Sequence, residues 1–246
     1  MKELSSSYGR VFIGSREECF QTAAFLAGAQ RGRVAAGKSY SWALTGGETP
    51  KDWYRWCVQR DALSPTLRSG THWFTSDERT VPLSSPDSNF GNADRGLLSP
   101  LGIASANKHP WPVELPPPEA AASFEKRAAT ILGAGRGFDL CFLGLGDNTH
   151  TASFFPGSPL LRQPTDNLFA AVDTPQGWRL TITPAGLKVC GLIVVIVRGA
   201  GKAEALHRVL SGPYDPVNVP GQVLRSCAGN VVWLTDTEAA SKYLGG

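Results

Sequence analysis

Six short apolar runs recur along the chain: "RVFIG" at 10–14, "YSWAL" at 40–44, "THWFT" at 71–75, "FDLCFL" at 138–143, "CGLIVVIV" at 190–197 and "NVVWLTD" at 230–236. Segments of helical period lie between several of them. Apolar β runs alternating with helices bury themselves best as parallel neighbours in one sheet with helices on both faces. The chain therefore reads as α/β, a three-layer sandwich around a mainly parallel central sheet. The proline-rich stretch "KHPWPVELPPPEA" at 108–120 resembles a linker, but the alternation continues on either side, so residues 1–246 are expected to form one domain.

Local signals place the helices. Ser15 with Glu18 three residues on is a capping box, followed by Phe20, Ala23, Ala24 and Ala27 on one face. Pro50 suits the first turn of a helix after "TGGETP". Ala121, Phe124, Ala128 and Ile131 share the spacing of another helix, and "KAEALHRVL" and "TEAASKYL" read as helices after the last two strands.

Composition excludes more than it selects. A net charge of +3 without a run of Lys and Arg interleaved with aromatics gives no footprint for nucleic acid. Cys19, Cys57, Cys141, Cys190 and Cys227 are odd in number and lack the close pairs of zinc or redox motifs, which fits a reduced, cytoplasmic setting. The N-terminus has no secretory apolar core, and "LIVVIV" at 192–197 is too short to span a membrane. Neither a membrane nor a metal partner is expected: His72, His109 and His207 are scattered and read as structural.

In an open parallel sheet, ligands bind beyond the carboxyl ends of the strands, and the unusual loops of this chain fall there. "LTGGETPKDWY" places Thr45, Gly46, Gly47 and Thr49 at a helix start, where free N–H groups can cradle an anion; taken alone, the better reading is a plain strand-to-helix turn. "TSDERTVPLSSPDSNFGNA" carries Asp77, Glu78 and Arg79 beyond a strand, with Ser88 and Asn89 at a plausible helix start; the plain reading is a solvated turn and an N-cap. "GLGDNTHTASFFPG" sets Asn148 and His150 in a polar glycine loop, which suits a general base better than a core histidine. Arg179 in "GWRLTIT", with Thr181 and Thr183 at strand alternation, and Lys202 in "RGAGKAEAL" add cations. The Walker pattern fails at Ile196 and Ala203, and the third glycine of a dinucleotide loop is missing.

Taken together, "LTGGETPKDWY", "SDERTVPLSSPDSNFGNA", "FDLCFLGLGDNTHTASFFPG", "RLTIT" and "GAGKAEAL", with "VVWLTDTEAASKYL" at the end, resemble in order the 6-phosphogluconolactonases of the glucosamine-6-phosphate isomerase/deaminase superfamily. The resemblance implies a Rossmann-like fold and cofactor-free, metal-free hydrolysis of 6-phospho-D-glucono-1,5-lactone, the second step of the oxidative pentose phosphate pathway. His150 would be the general base, Arg79 would meet the carbonyl or the phosphate, and Asp77 would position the sugar or orient a partner. Gly46, Gly47 and Thr49 with Lys202 would hold the phosphate, with Arg179 a second cationic candidate.

Two positions depart from the family pattern. Asn148 stands where a carboxylate usually precedes the histidine, and Glu48 puts a negative charge beside the phosphate loop. A sugar-phosphate isomerase or deaminase would need a further acid–base group, usually a glutamate after the histidine, and "HTASFFPG" has none. A non-catalytic sugar-phosphate sensor is the remaining alternative.

Overall fold

The computed structural model describes residues 1–34 and 39–245. Its strands are β1 (Lys2–Ser6), β2 (Gly9–Gly14), β3 (Tyr40–Leu44), β4 (Thr71–Thr75), β5 (Asp77–Arg79), β6 (Leu140–Leu143), β7 (Phe169–Val172), β8 (Arg179–Ile182), β9 (Leu192–Val197) and β10 (Val231–Asp236). Seven of them form the central sheet in the order β1-β2-β10-β9-β6-β3-β4, with every neighbouring pair parallel except β1 with β2. The expected α/β sandwich is the observed architecture.

Period-two alternation sorts each strand's side chains between two cores. Trp42, Leu44, Leu140, Phe142, Val194 and Ile196 pack with Phe20, Ala23 and Ala27 of the helix Arg16–Arg33 and with Trp53 and Cys57 of the helix Glu48–Arg60. Ala43, Cys141, Leu143, Val195 and Val197 face the opposite core, with Phe124 and Ala128 of the helix Pro117–Leu132 and Leu206 and Val209 of the helix Ala203–Ser211. Because both faces are covered, the strands can be apolar throughout, as the sequence runs are. The capping box at Ser15 forms as read, with Glu18 N donating to Ser15 Oγ and Ser15 N to Glu18 Oε2. All five cysteines are buried free thiols, and no helix among the described residues is long and apolar enough to cross a membrane.

Three features differ from the sequence reading. A second, antiparallel sheet of order β5-β8-β7 stands beside the first; β8 is the alternating run at Arg179, while β5 and β7, three and four residues long, are too short for periodicity to show. Thr183 does not continue β8 but caps the next helix, accepting from Gly186 N. Residues 237–240 form a turn, and only Ser241–Leu244 is helical, because Asp236 folds the chain back by accepting from Ala239 N. The proline-rich stretch is no slack linker either. His109 N donates to Trp73 O, Trp111 Nε1 donates to Thr75 O, and the Trp111 ring stacks 3.7 Å from Phe124.

That stretch is fastened to the edge strand β4 by a histidine pair, His72 Nδ1 lying 2.8 Å from His109 Nε2. The bond requires one ring nitrogen protonated and the other free. Burial, with the charges of His72 and Arg127 adding to it, pushes His109 down to about 4, and burial also lowers His72. Below the ordinary histidine pKa of about 6.5 the unfolded chain thus binds more protons than the folded one. Stability is full above that pH and falls as pH drops towards about 4. Urea titrations across this window should show the decline, and His109→Gln should remove much of it; an unchanged slope would locate the protons elsewhere.

Candidate active site

At the carboxyl edge of the sheet, β3 runs into Thr45–Gly47, β4 into the segment of β5, β6 into the glycine loop ending at His150, and β9 into Arg198–Lys202. These loops enclose a cleft of about 490 Å³. Thr45, Gly46, Gly47, Thr49, Asp77, Arg79, His150 and Lys202 all line it. Asn148 and Arg179 do not: Asn148 lies behind the imidazole, and Arg179 points its guanidinium at the carbonyls of Gln176, Gly177 and Trp178.

The loop around His150 is held in an unusual backbone shape. Thr149 and Ala152 have φ of 68° and 45°, a left-handed region costly for side-chain-bearing residues, above all for a β-branched one. Backbone bonds impose it: Gly146 N donates to His150 O at 2.8 Å and Gly221 N to Thr149 O at 2.9 Å. Gly146 is required by close approach, since a Cβ there would run into the imidazole. The ring stacks on Phe155, centroids 4.6 Å apart. Its Nδ1 lies 2.6 Å from Asn148 Oδ1, which also accepts from His150 N at 3.2 Å. A backbone N–H can only donate, so the amide presents its oxygen, and Nδ1 carries the proton. Nε2 is then the free acceptor. Burial depresses the His150 pKa, Asp77 pulls it back up and Lys202 lowers it again.

In "DER" the strand period divides the work. Asp77 and Arg79 both line the cleft, whereas Glu78 is fully buried on the other side. The Glu78 carboxylate accepts from the backbone N–H groups of Arg79, Asn89 and Phe90 and from Ser88 Oγ, so it fixes the start of the helix Asn89–Ala93. Burial raises its pKa against the pull of those four donors. Asp77 Oδ2 accepts from Ser153 Oγ at 2.8 Å and Oδ1 from Asn89 Nδ2 at 3.2 Å. Arg79 pairs across the strands with Arg179, whose pKa is lowered by burial and then by the Arg79 cation.

Opposite the imidazole loop, Gly47 caps the helix Glu48–Arg60 at φ 107° with no side-chain cap, leaving N–H groups of the first turn without side-chain partners. Gly46 must be glycine, as a Cβ would run into Asn89 Oδ1. Glu48 swings to solvent: its side chain is 84% exposed and pairs with Lys51 at 2.9 Å. Lys202 Nζ lies 2.5 Å from Asp147 Oδ1, a pair whose acid is on the surface and is held weakly. Sequence reasoning gave no site role to Asn89, Ser153 or Arg198; the first two stand in the quoted motifs, and only their contacts with Asp77 reveal what they do.

The profile of the family described as glucosamine-6-phosphate isomerases/6-phosphogluconolactonase matches residues 15–233. The chain belongs to this family. A 6-phosphogluconolactonase of Synechocystis sp. is 37% identical over 202 residues, covering 80% of this chain and 82% of the relative, and one of Mycobacterium tuberculosis is 34% identical over 188 residues, 71% and 74% of the two. Among solved structures, a 6-phosphogluconolactonase from Trypanosoma cruzi superposes with a TM-score of 0.82 at 25% identity, covering 98% of each chain. A monomeric glucosamine-6-phosphate deaminase, 22% identical, covers 94% of this chain and 99% of its own at a TM-score of 0.74 and shares the fold. Proteins with different names thus share this fold, so the fold alone does not name the activity.

The strained Thr149 generates a stability prediction. Its Oγ1 is buried without a partner, and its φ favours glycine. Thr149→Gly should stabilise the fold by about 1 kcal/mol, the relief of left-handed strain exceeding the added freedom of the unfolded chain. Chemical denaturation measures this directly; a lower midpoint would show that the loop does not bear the strain.

Proposed function

We propose that residues 1–246 act as one domain that hydrolyses 6-phospho-D-glucono-1,5-lactone to 6-phospho-D-gluconate, the second step of the oxidative pentose phosphate pathway, with His150 as general base. The observation that carries the reading is the tautomer: Nδ1–H is committed to Asn148 Oδ1, leaving Nε2 as a proton acceptor in a cleft that also holds Arg79 and Lys202. A water between Nε2 and the lactone carbonyl loses its proton to His150 as its oxygen adds to C1. Arg79 stabilises the resulting oxyanion. The tetrahedral intermediate collapses by breaking the bond from C1 to the ring oxygen, which takes the proton back from the imidazolium. No protein nucleophile is needed, because a lactone carbonyl is already electrophilic.

Asp77 supplies the negative charge that steadies the imidazolium. Asn148, which has no charge, orients the ring through Nδ1. The phosphate sits against the Gly46–Gly47–Thr49 turn, with the helix N-terminus and Lys202 as its donors. Arg179, its guanidinium turned to the carbonyls of Gln176, Gly177 and Trp178, does not meet the substrate. The loop after His150 has no carboxylate for the ring opening of an isomerase or deaminase.

A coupled assay on freshly generated lactone, corrected for spontaneous hydrolysis, tests the reading. Turnover at the spontaneous rate would refute it. His150→Gln should lower kcat by about a hundredfold or more with product affinity little changed, since a general base contributes on that scale. Lys202→Ala should instead raise KM for the phosphorylated lactone and leave unphosphorylated gluconolactone nearly untouched.

The pH profile separates orientation from charge at residue 148. Burial holds His150 below its ordinary value, so the acid limb of kcat/KM should lie under about 6.5. Asn148→Asp places a carboxylate on Nδ1 and favours the imidazolium, which is inactive as a base, so the limb should move to higher pH. A limb that stays in place would remove either residue 148 or His150 from this role.

A further inference from the structure

The two walls of the proposed phosphate corner come from strands that are not neighbours. The glycine turn follows β3 and the Lys202 loop follows β9, with β6 between them in the sheet, so no ladder of backbone bonds sets their spacing. Side chains cross the gap instead. Arg198, which leads from β9 into the Lys202 loop, places Nη1 2.9 Å from Asp52 Oδ2 on the second turn of the helix Glu48–Arg60. Its Nε faces Asp236 Oδ2 at 3.7 Å. The Asp236 carboxylate in turn takes the Gly199 N–H at 3.0 and 3.1 Å, holding the root of the Lys202 loop to the end of β10.

Arg16 completes the set. Its Nε and Nη2 each donate to Asp52 at 2.8 Å, and the Arg16 and Arg198 guanidiniums lie over the Phe20 ring, 4.7 and 5.0 Å from its centroid. Hydrogen bonding from Arg16, then from Arg198, holds the Asp52 carboxyl at about 2, so it stays ionised at any working pH. Although Arg198 lines the cleft, its charge is already matched by Asp52 and Asp236; it is built as a strut and not as a free anion receptor.

We infer that Asp52 and Arg198 are positioning residues: with Asp236 they set the distance between the helix N-terminus after Gly47 and the Lys202 loop, and so control affinity for the phosphate of the substrate without touching the reacting atoms. The inference rests on the lactonase reading above and extends it to residues outside the phosphate's contact shell.

The test compares phosphorylated and unphosphorylated ligands. In Asp52→Asn, KM for 6-phosphogluconolactone and the calorimetric Kd for 6-phosphogluconate should both rise by about tenfold, as misplacement of one wall predicts. At the same time kcat should change by less than about threefold, and kcat/KM for gluconolactone should stay at the wild-type level. Asp52→Glu, which keeps the charge, should recover most of the affinity. Wild-type affinity in Asp52→Asn, or equal losses on both substrates, would overturn the inference; should that variant fail to fold, Arg198→Lys is read by the same criteria. A wild-type protein that binds 6-phosphogluconate no better than gluconate overturns the phosphate corner itself, and the strut with it. A wild-type preference that survives in Asp52→Asn overturns the strut alone.

Discussion

The cleft is organised around a carboxylate that must be satisfied. Asp77 is buried, and an ionised group in that position is tolerable only with donors on its oxygens. Those donors come from two distant segments, Ser153 after β6 and Asn89 at the head of a short helix. Ser153 is three residues beyond His150, so the bond that pays for burying the charge also fixes where the imidazole stands. Asn89 likewise backs Gly46, which ties the glycine turn to the same carboxylate. Loops from β3, β4 and β6 are thereby registered against one another by a single buried oxygen pair and its donors.

Around this point the sheet and the loops divide the labour. Parallel pairing aligns the carboxyl ends of β9, β6, β3 and β4 on one edge, which is sufficient to bring four loops together. It does not set distances between loops two strands apart, and there the chain relies on ions: Asp52 with Arg198 across the gap, Asp236 on the Gly199 amide. The neutral side of the cleft relies on backbone geometry. Left-handed Thr149 and Ala152 bracket His150 and aim it, and the strain they carry is offset by bonds such as that from Gly221 N to Thr149 O.

Asn148 shows how an uncharged side chain can orient an imidazole. The amide oxygen holds Nδ1–H as a carboxylate oxygen would, so the tautomer is preserved. The amide brings no negative charge to that side of the ring, and the carboxylate whose field most raises the His150 pKa is Asp77 in β5. Glu48 also lines the cleft, but its side chain is mostly in solvent and pairs with Lys51.

Much of this was written in local sequence. The six apolar runs determined the main strands, because burial on both faces demands continuous hydrophobicity, and Ser15 with Glu18 marked a helix start through contacts four residues wide. Motif order determined the family and pointed to most of the cleft. The resemblance already favoured Asp77 and Arg79 over Glu78, but only the tertiary structure showed why, with Glu78 buried on the far side, turned Arg179 away from the cleft, and recruited Ser153, Asn89, Asp52 and Arg198. Of the second sheet only β8 showed as alternation in the chain; β5, β7 and the turn after Asp236 did not. Each of these depends on a partner far away in sequence: a hydrogen bond between Ser153 and Asp77 or an ion pair between Arg198 and Asp52 exists only after the strands have aligned, and neither leaves a period or a spacing for local reading to find.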